Sequence, residues 1–376
     1  MRKIVVGDIG VHKAVWVEKS NRYVLTKTKV AEIATLVFSG KTSMQIAAYG
    51  KSVLGMEVEE IRQIETELRQ LELPPTEKIV EDNIDIFFFI RNDFECDSKD
   101  RYYLLYDSIF RVSYFSSNSE FMVHPKFGFR EMEKVQFPDH QVKVFYRDKY
   151  IGLEMDGQWI GAWHKDNSHY FSGMLSSLIF EKAQHEINGG LMAYLHAAGI
   201  SDGGKCLIFA GDSGSGKSTL SAILLANGFE VLADDFLPIE QSAGKACHFP
   251  AAISIKKSSI KLLSPLFPAL KNAKEYFFPG LNKTVRYLSN PATNSPFQVP
   301  VQGLVFVQYL EGADLLLEKM SQEEAFQRLV PDSYIYPSAQ NAQSFISWFN
   351  SLTCYQLTYS DSKKMVETVK ELLQRD

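Results

Sequence analysis

Residues 206–236 read CLIFAGDSGSGKSTLSAILLANGFEVLADDF, and the order of residue types in this stretch decides the fold. Five apolar residues, Cys206 to Ala210, predict a buried strand, and the loop Gly211-Asp212-Ser213-Gly214-Ser215-Gly216-Lys217-Ser218 follows at once. After Ser218 the apolar spacing predicts a helix. The loop matches GxxxxGK[ST] completely, in the strand, loop, helix setting the motif requires. Glycines let successive backbone N–H groups turn inward around phosphate oxygens, and the helix N-terminus adds partial positive charge. Lys217 offers a point charge to the β and γ phosphates of a nucleotide, expected to be ATP, and the Ser218 hydroxyl suits Mg2+. A turn that merely joins strand to helix needs neither group at those offsets.

Working outward, Gly228 ends the helix and Glu230 to Ala233 predict a second strand that finishes in Asp234-Asp235. If that strand neighbours the loop strand, both carboxylates reach the crevice at the C-terminal strand ends where ligands bind. One of the two can then hold magnesium through water while the other takes a proton from an incoming hydroxyl. The competing reading is a turn capped by Asp before Pro238. His196, in the strand-like YLHAAGI, lies 15 residues before Gly211, and a histidine so placed is either structural or part of the same site.

The chain has 376 residues, 45% of them hydrophobic, and a formal charge of -5, which predicts a multidomain protein with no global field for nucleic acid or an acidic membrane. Cys96, Cys206, Cys247 and Cys354 lie far apart without a CxxC pair, so a zinc site and a disulfide framework are both unexpected and a reducing, cytoplasmic setting fits. No stretch approaches about 18 uncharged apolar residues, so no membrane association is expected.

Three textures divide the chain. Residues 1–75 open with short β-like pieces (KIVV, AVWVE, YVLT), and then VAEIATLVFSG, TSMQIAAYGKSVLG and EVEEIRQIETELRQLEL predict three helices closed by Pro74-Pro75, a pattern that suits a winged-helix unit. Residues 76–170 carry aromatic runs, among them IDIFFFI, RYYLLY, FRVSYF, VKVFY and QWIGAW, and read as an antiparallel β-rich segment that packs on the rest. Residues 171–376 begin with a helix (FSGMLSSLIFEKAQHEI) and hold the α/β part.

The histidine, the GDSGxGKS loop and the ADD motif together resemble the catalytic domain of HPr kinase/phosphorylase, over roughly residues 190–290. That resemblance implies an α/β fold of the HPr kinase/phosphoenolpyruvate carboxykinase type, preceded here by the winged-helix unit and the β-rich segment. It also implies ATP-dependent phosphorylation of serine, with Lys217 gripping phosphates, Ser218 on magnesium, Asp235 as the base, and Asp234 and His196 beside it. Because HPr kinases are hexamers, it further implies a homo-oligomer. In AISIKKSS, Ser254 and Lys256 stand where the family has a metal-binding glutamate and an arginine, and Thr219 and Phe229 replace a glutamate and a histidine. In NKTVRYL, Lys283 and Arg286 are the candidates for the family's later catalytic arginine.

Residues 1–75 resemble the winged-helix domains that bind leader peptides of ribosomally made, modified peptides, as in the peptide chaperone of pyrroloquinoline quinone biosynthesis. Such domains take an extended peptide along a strand edge. Glu57, Glu59, Glu60, Glu65 and Glu67 make the third helix acidic, which disfavours nucleic acid. The expected activity is therefore phosphorylation of a hydroxyl, serine above all, on a precursor peptide. The alternatives are a kinase of a free small molecule and an ATP-binding regulatory module.

Overall fold

The computed structural model describes residues 4–73, 80–81, 83–90, 98–183, 190–278, 283–291 and 297–375, so Pro74-Pro75, Cys96 and the end of the helix expected before residue 188 lie outside the described residues. The chain is mixed α/β. At its start, β1 (Ile4–Ile9), β2 (His12–Val17) and β3 (Arg22–Thr26) form an antiparallel meander, followed by α1 (Thr28–Phe38), α2 (Ser43–Ser52) and α3 (Val58–Gln70). Thr42 and Gln45 cap α2 reciprocally, which fixes its start. Alternation along the strands splits the side chains between two faces. Val15 and Val17 meet Ile33, Val37 and Ile61 of the helices, whereas Val5, Ile9, Ala14 and Trp16 enter the same core as Phe345 and Ile346 far down the chain.

The next segment begins with α4 (Ile86–Ile90), followed by β4 (Lys99–Leu105), β5 (Ser108–Tyr114), α5 (Ser117–Phe127), β6 (Glu131–Met132), β7 (His140–Arg147), β8 (Tyr150–Met155) and β9 (Gln158–His164). The strands form one sheet in the order β6-β4-β5-β7-β8-β9. Two expectations need correction. IFFFI is a helical turn, not a strand: an unbroken apolar run has no period to decide between the two, and here Asp85 caps the turn through the Phe88 amide while Phe89 packs on Phe145 and Trp159. The sheet is also not wholly antiparallel, because β5 and β7 run parallel. Such a pair needs a crossover, and α5 supplies it, started by a capping box between Ser116 and Ser119.

After α6 (Ser168–Ala183) come β10 (Leu191–Leu195), β11 (Ala198–Ser201), β12 (Cys206–Ala210), α7 (Lys217–Ala226), β13 (Glu230–Ala233), β14 (Leu237–Glu240), β15 (Ala246–Cys247), β16 (Ile253–Lys256), a short α8 (Ile260–Leu263), β17 (Tyr276–Phe278), β18 (Lys283–Leu288) and β19 (Gln298–Val299). The chain ends with β20 (Val301–Tyr309), β21 (Leu316–Met320), α9 (Gln322–Leu329), β22 (Tyr334–Ile335), α10 (Ala339–Ser351), β23 (Cys354–Tyr359) and α11 (Ser362–Gln374). A six-stranded sheet, β13-β11-β12-β20-β23-β21, packs α7 and α11 on one face through Leu220, Leu224, Met365 and Val369. Its other face shares a core with the five-stranded sheet β19-β15-β14-β10-β22. A third sheet, β16-β18-β17, lies beside α7. Among the described residues no helix is long and apolar enough to cross a membrane.

The first sheet docks on α9 and α10. Tyr23 meets Phe326 and Phe345 edge-on, Asn21 donates to the Ile335 carbonyl at 2.8 Å, and Glu323 accepts the Val11 amide at 2.6 Å. Trp16, fully buried, gives its indole N–H to Asn21 at 2.7 Å. Residues 4–73 thus share an apolar core with the C-terminal half, and a single cooperative unfolding transition is expected. Trp16→Ala should destabilise that whole transition by about 3–5 kcal/mol; calorimetry that resolved two transitions, with only one of them shifted, would contradict the shared core.

Candidate functional site

Two strand pairs change sheets at one place. In the five-stranded sheet β10 and β14 are antiparallel with Leu195 opposite Leu237, and in the six-stranded sheet β11 and β13 are antiparallel with Gly199 opposite Ala233. The crossing residues are His196-Ala197 on one chain and Asp234-Asp235-Phe236 on the other. Strands that switch sheets through a bend make such corners, and this one sets His196 Nδ1 3.3 Å from Asp235 Oδ1. YLHAAGI is therefore two strands, not one. The expected neighbour relation also needs correction: β13 is not adjacent to β12, because the SDGG turn returns the chain and β11 lies between them. Since β11 is antiparallel to both, β12 and β13 still run the same way and end on the same edge.

On that edge β12 opens into the glycine loop. Gly211, Gly214 and Gly216 have φ of 154°, 99° and 99°, which side-chain-bearing residues avoid. A Cβ on Gly211 would stand 2.7 Å from Ser215 Oγ and 2.9 Å from the Val307 carbonyl. The loop leads straight into α7, and the Tyr309 amide at the end of β20 braces it by donating to the Ser215 carbonyl at 2.8 Å. Asp212 and Ser213 are exposed at the loop's tip. Lys217 is only 9% exposed, with Nζ 3.3 Å from the His196 carbonyl and 3.9 Å from Asp235 Oδ1. Thr219 turns away from this centre, its hydroxyl 2.7 Å from that of Ser259.

The two carboxylates differ physically. Asp234 is 7% exposed, and burial, with the neighbouring Asp235 charge, pushes its pKa up to about 6 against the counter-effect of Ser218, Lys217 and Ser221. The Ser254 amide reaches its Oδ2 at 3.4 Å, the Ser218 and Ser221 hydroxyls lie beside the carboxyl, and among the described residues no hydrogen bond of normal geometry reaches its enclosed Oδ1. Asp235 keeps 66% of its side chain open to solvent. Burial acts to raise its pKa, but His196, Lys217, Lys126 and Lys283 together hold it below the usual aspartate range.

Lys256, from β16, reaches back over the loop tip, 3.5 Å from Ser213 Oγ. Lys283 is among the cations acting on Asp235, but Arg286 is not brought to the site. Three residues apart on a strand are opposite faces, and Arg286 donates to the Leu270 and Lys271 carbonyls and pairs with Glu275 at 3.0 Å. Two cations escaped the sequence reading. Lys126 arrives from α5 of the preceding segment, with no motif to mark it. Arg328 of α9 lines a recess with His196, Gly211 and Asp212, its guanidinium 4.3 Å from the Phe306 ring. A broader recess of about 450 Å³ on the β4–β9 sheet lies apart from this site, and its Lys143–Glu154 pair is already closed at 2.7 Å.

The donor set suits a magnesium nucleotide. The left-handed glycines leave a cradle that a Cβ would fill, and the enclosed Asp234 Oδ1, unpartnered among the described residues and near the Ser218 hydroxyl, is the kind of hard oxygen that magnesium takes. No protein-family model matches the chain, and no curated protein matches it, so the resemblance to HPr kinase/phosphorylase rests on the motif residues themselves.

A carboxyl whose pKa rises from 3.8 to about 6 on folding binds its proton better in the folded state, so its ionised form opposes folding above pH 6 and the penalty fades as pH falls through 4. In magnesium-free buffer, Asp234→Asn is expected to stabilise the protein at pH 8 by something on the order of 1–3 kcal/mol and to lose that advantage near pH 4. Thermal melts across that range test it, and a variant less stable than the parent at pH 8 would show that the carboxylate is structural.

Proposed function

We propose that this protein is an ATP-dependent kinase that phosphorylates a hydroxyl, serine above all, on a peptide held by its N-terminal domain. The observation that carries the reading is the pairing of a glycine loop with two unlike carboxylates: Asp234 buried beside Ser218, and Asp235 accessible 3.9 Å from Lys217.

In this reading the loop amides and Lys217 take the β and γ phosphates, and Lys256 reaches the phosphate chain from the loop tip. Ser218 and Asp234 would hold magnesium, which would supply positive charge against the phosphate oxygens. Asp235, ionised and accessible, receives the acceptor hydroxyl, orients it and accepts its proton as the oxygen attacks phosphorus. His196 fixes Asp235 from one side and Lys217 from the other, so the base is held in place. Catalysis comes mainly from positioning and charge neutralisation, as phosphoryl transfer demands. A regulatory nucleotide sensor has no need of an accessible carboxylate so placed.

Peptide capture is supported by the free side of the first sheet. Among the described residues β3 pairs only with β2, leaving an edge along Arg22–Thr26 that an extended peptide can join by main-chain hydrogen bonds. Because the sheet is clamped on α9 and α10, a peptide on that edge is carried by a body fixed to the catalytic half.

Lys217→Ala is expected to abolish nucleotide binding measured by calorimetry, while Asp235→Asn should leave ATP affinity within about threefold and slow transfer by roughly two orders of magnitude. Transfer at the parental rate in Asp235→Asn would remove the base assignment. Incubation with labelled ATP and serine-containing leader–core peptides checks the acceptor: labelling of free small molecules, with no gain when a leader is attached, would remove peptide capture and leave the kinase.

A further inference from the structure

The catalytic half does not supply the whole cation set. The alternation of β16 and β18 sends Ile253, Ile255 and Leu288 into the core with α7, and puts Ser254, Lys256, Lys283 and Tyr287 on the other face. That face is covered by α5. Phe121 of α5 contacts Tyr276 and Phe278 at 5.8 and 4.9 Å between ring centroids, and the Ala252 amide donates to the Lys126 carbonyl at 2.9 Å. The helix end is thereby fixed against the strand that carries Ser254 and Lys256. The half-buried Lys126 ammonium is steadied by the Ser172 hydroxyl of α6, and its backbone sits two residues from Ser254, whose amide reaches Asp234, close enough for its charge to act on Asp235.

Four lysines, Lys126, Lys217, Lys256 and Lys283, thus converge on a centre with two carboxylates, Asp234 and Asp235. Such a gathering opposes itself: Lys283 acts against the charge of both Lys126 and Lys256. Like charges brought together in a cleft make sense when an anion is to be bound there. Lys217 and Lys256 are accounted for by the loop and its tip. Lys126 stands on the Asp235 side, where charge accumulates on the phosphoryl group in flight, and Arg286 is held elsewhere by backbone carbonyls.

We propose that Lys126 is a catalytic residue contributed by the β4–β9 segment, which binds the transferring phosphoryl group on the acceptor side and takes the place that an arginine would otherwise fill. The segment is then part of the catalytic unit and not only a packing partner. No bond is made to Lys126 itself: the phosphorus–oxygen bond to the nucleoside diphosphate breaks, the bond to the acceptor oxygen forms, and the acceptor proton goes to Asp235. This rests on the kinase reading above.

The test needs no acceptor. Calorimetry on the full chain compares MgADP with MgADP plus aluminium fluoride, which mimics the phosphoryl group in transfer, for the parent, Lys126→Met, Lys126→Arg and Ser172→Ala. Lys126→Met is expected to bind MgADP within about threefold of the parent but to lose on the order of tenfold or more for the fluoride complex. Lys126→Arg should recover most of that loss, and Ser172→Ala should weaken the fluoride complex by only a few-fold. Equal losses for both ligands in Lys126→Met, or no loss for either, would overturn the role of Lys126 while leaving the kinase reading intact. If Lys126→Met does not fold, a Lys126→Arg protein that matches Lys217→Ala in losing MgADP overturns it equally. A parent that binds neither ligand overturns both readings.

Discussion

The site depends on one backbone constraint, the double corner at which β10–β11 and β13–β14 leave one sheet and enter another together. Because the two strands are paired on both sides of the bend, Leu195 to Leu237 before it and Gly199 to Ala233 after it, neither can move independently at the crossing. His196 and Asp235 are thus set face to face by main-chain hydrogen bonds some residues away. The glycine loop then needs only to end on the same edge, which the shared direction of β12 and β13 ensures. Side chains held this way lose little freedom when a ligand arrives.

The same corner separates two chemically similar groups. Asp234 turns inward beneath Ser254, where burial favours its proton, and Asp235 turns out into the cleft, where surrounding cations favour its charge. Adjacent carboxylates would otherwise compete for one proton. Opposite environments push their affinities for a proton apart, and it is this split that the proposed division into metal ligand and base uses.

Around this centre the chain is built as overlapping cores. The first sheet is apolar on both faces, joining its own three helices to α9 and α10, and α5 joins the β4–β9 sheet to β16–β18. Neither earlier segment is tethered by a linker alone. The edge of β3 and the lysine carried by α5 therefore both have fixed places relative to the glycine loop.

How much of this is legible in the sequence follows from the range of each signal. The glycine loop, its strand and its helix are local: GxxxxGKS fixes the backbone within eight residues, Cys206–Ala210 falls where the pattern puts it, and the helix follows but starts earlier, at Lys217 inside the motif. The β-β-β-α-α-α order of residues 4–70 is likewise written in alternation and helical spacing. Three things were not local. The run IFFFI has no period, so the aromatic pocket of Phe145 and Trp159 decided it. The insertion of β11 between β12 and β13 depends on pairing between distant strands. The exclusion of Arg286 and the arrival of Lys126 depend on which face of β18 turns inward and on where α5 packs. Residue types and offsets name the chemistry a segment can do, but only the packed chain decides which charges share a cleft, because those charges come from elements that sequence proximity does not connect.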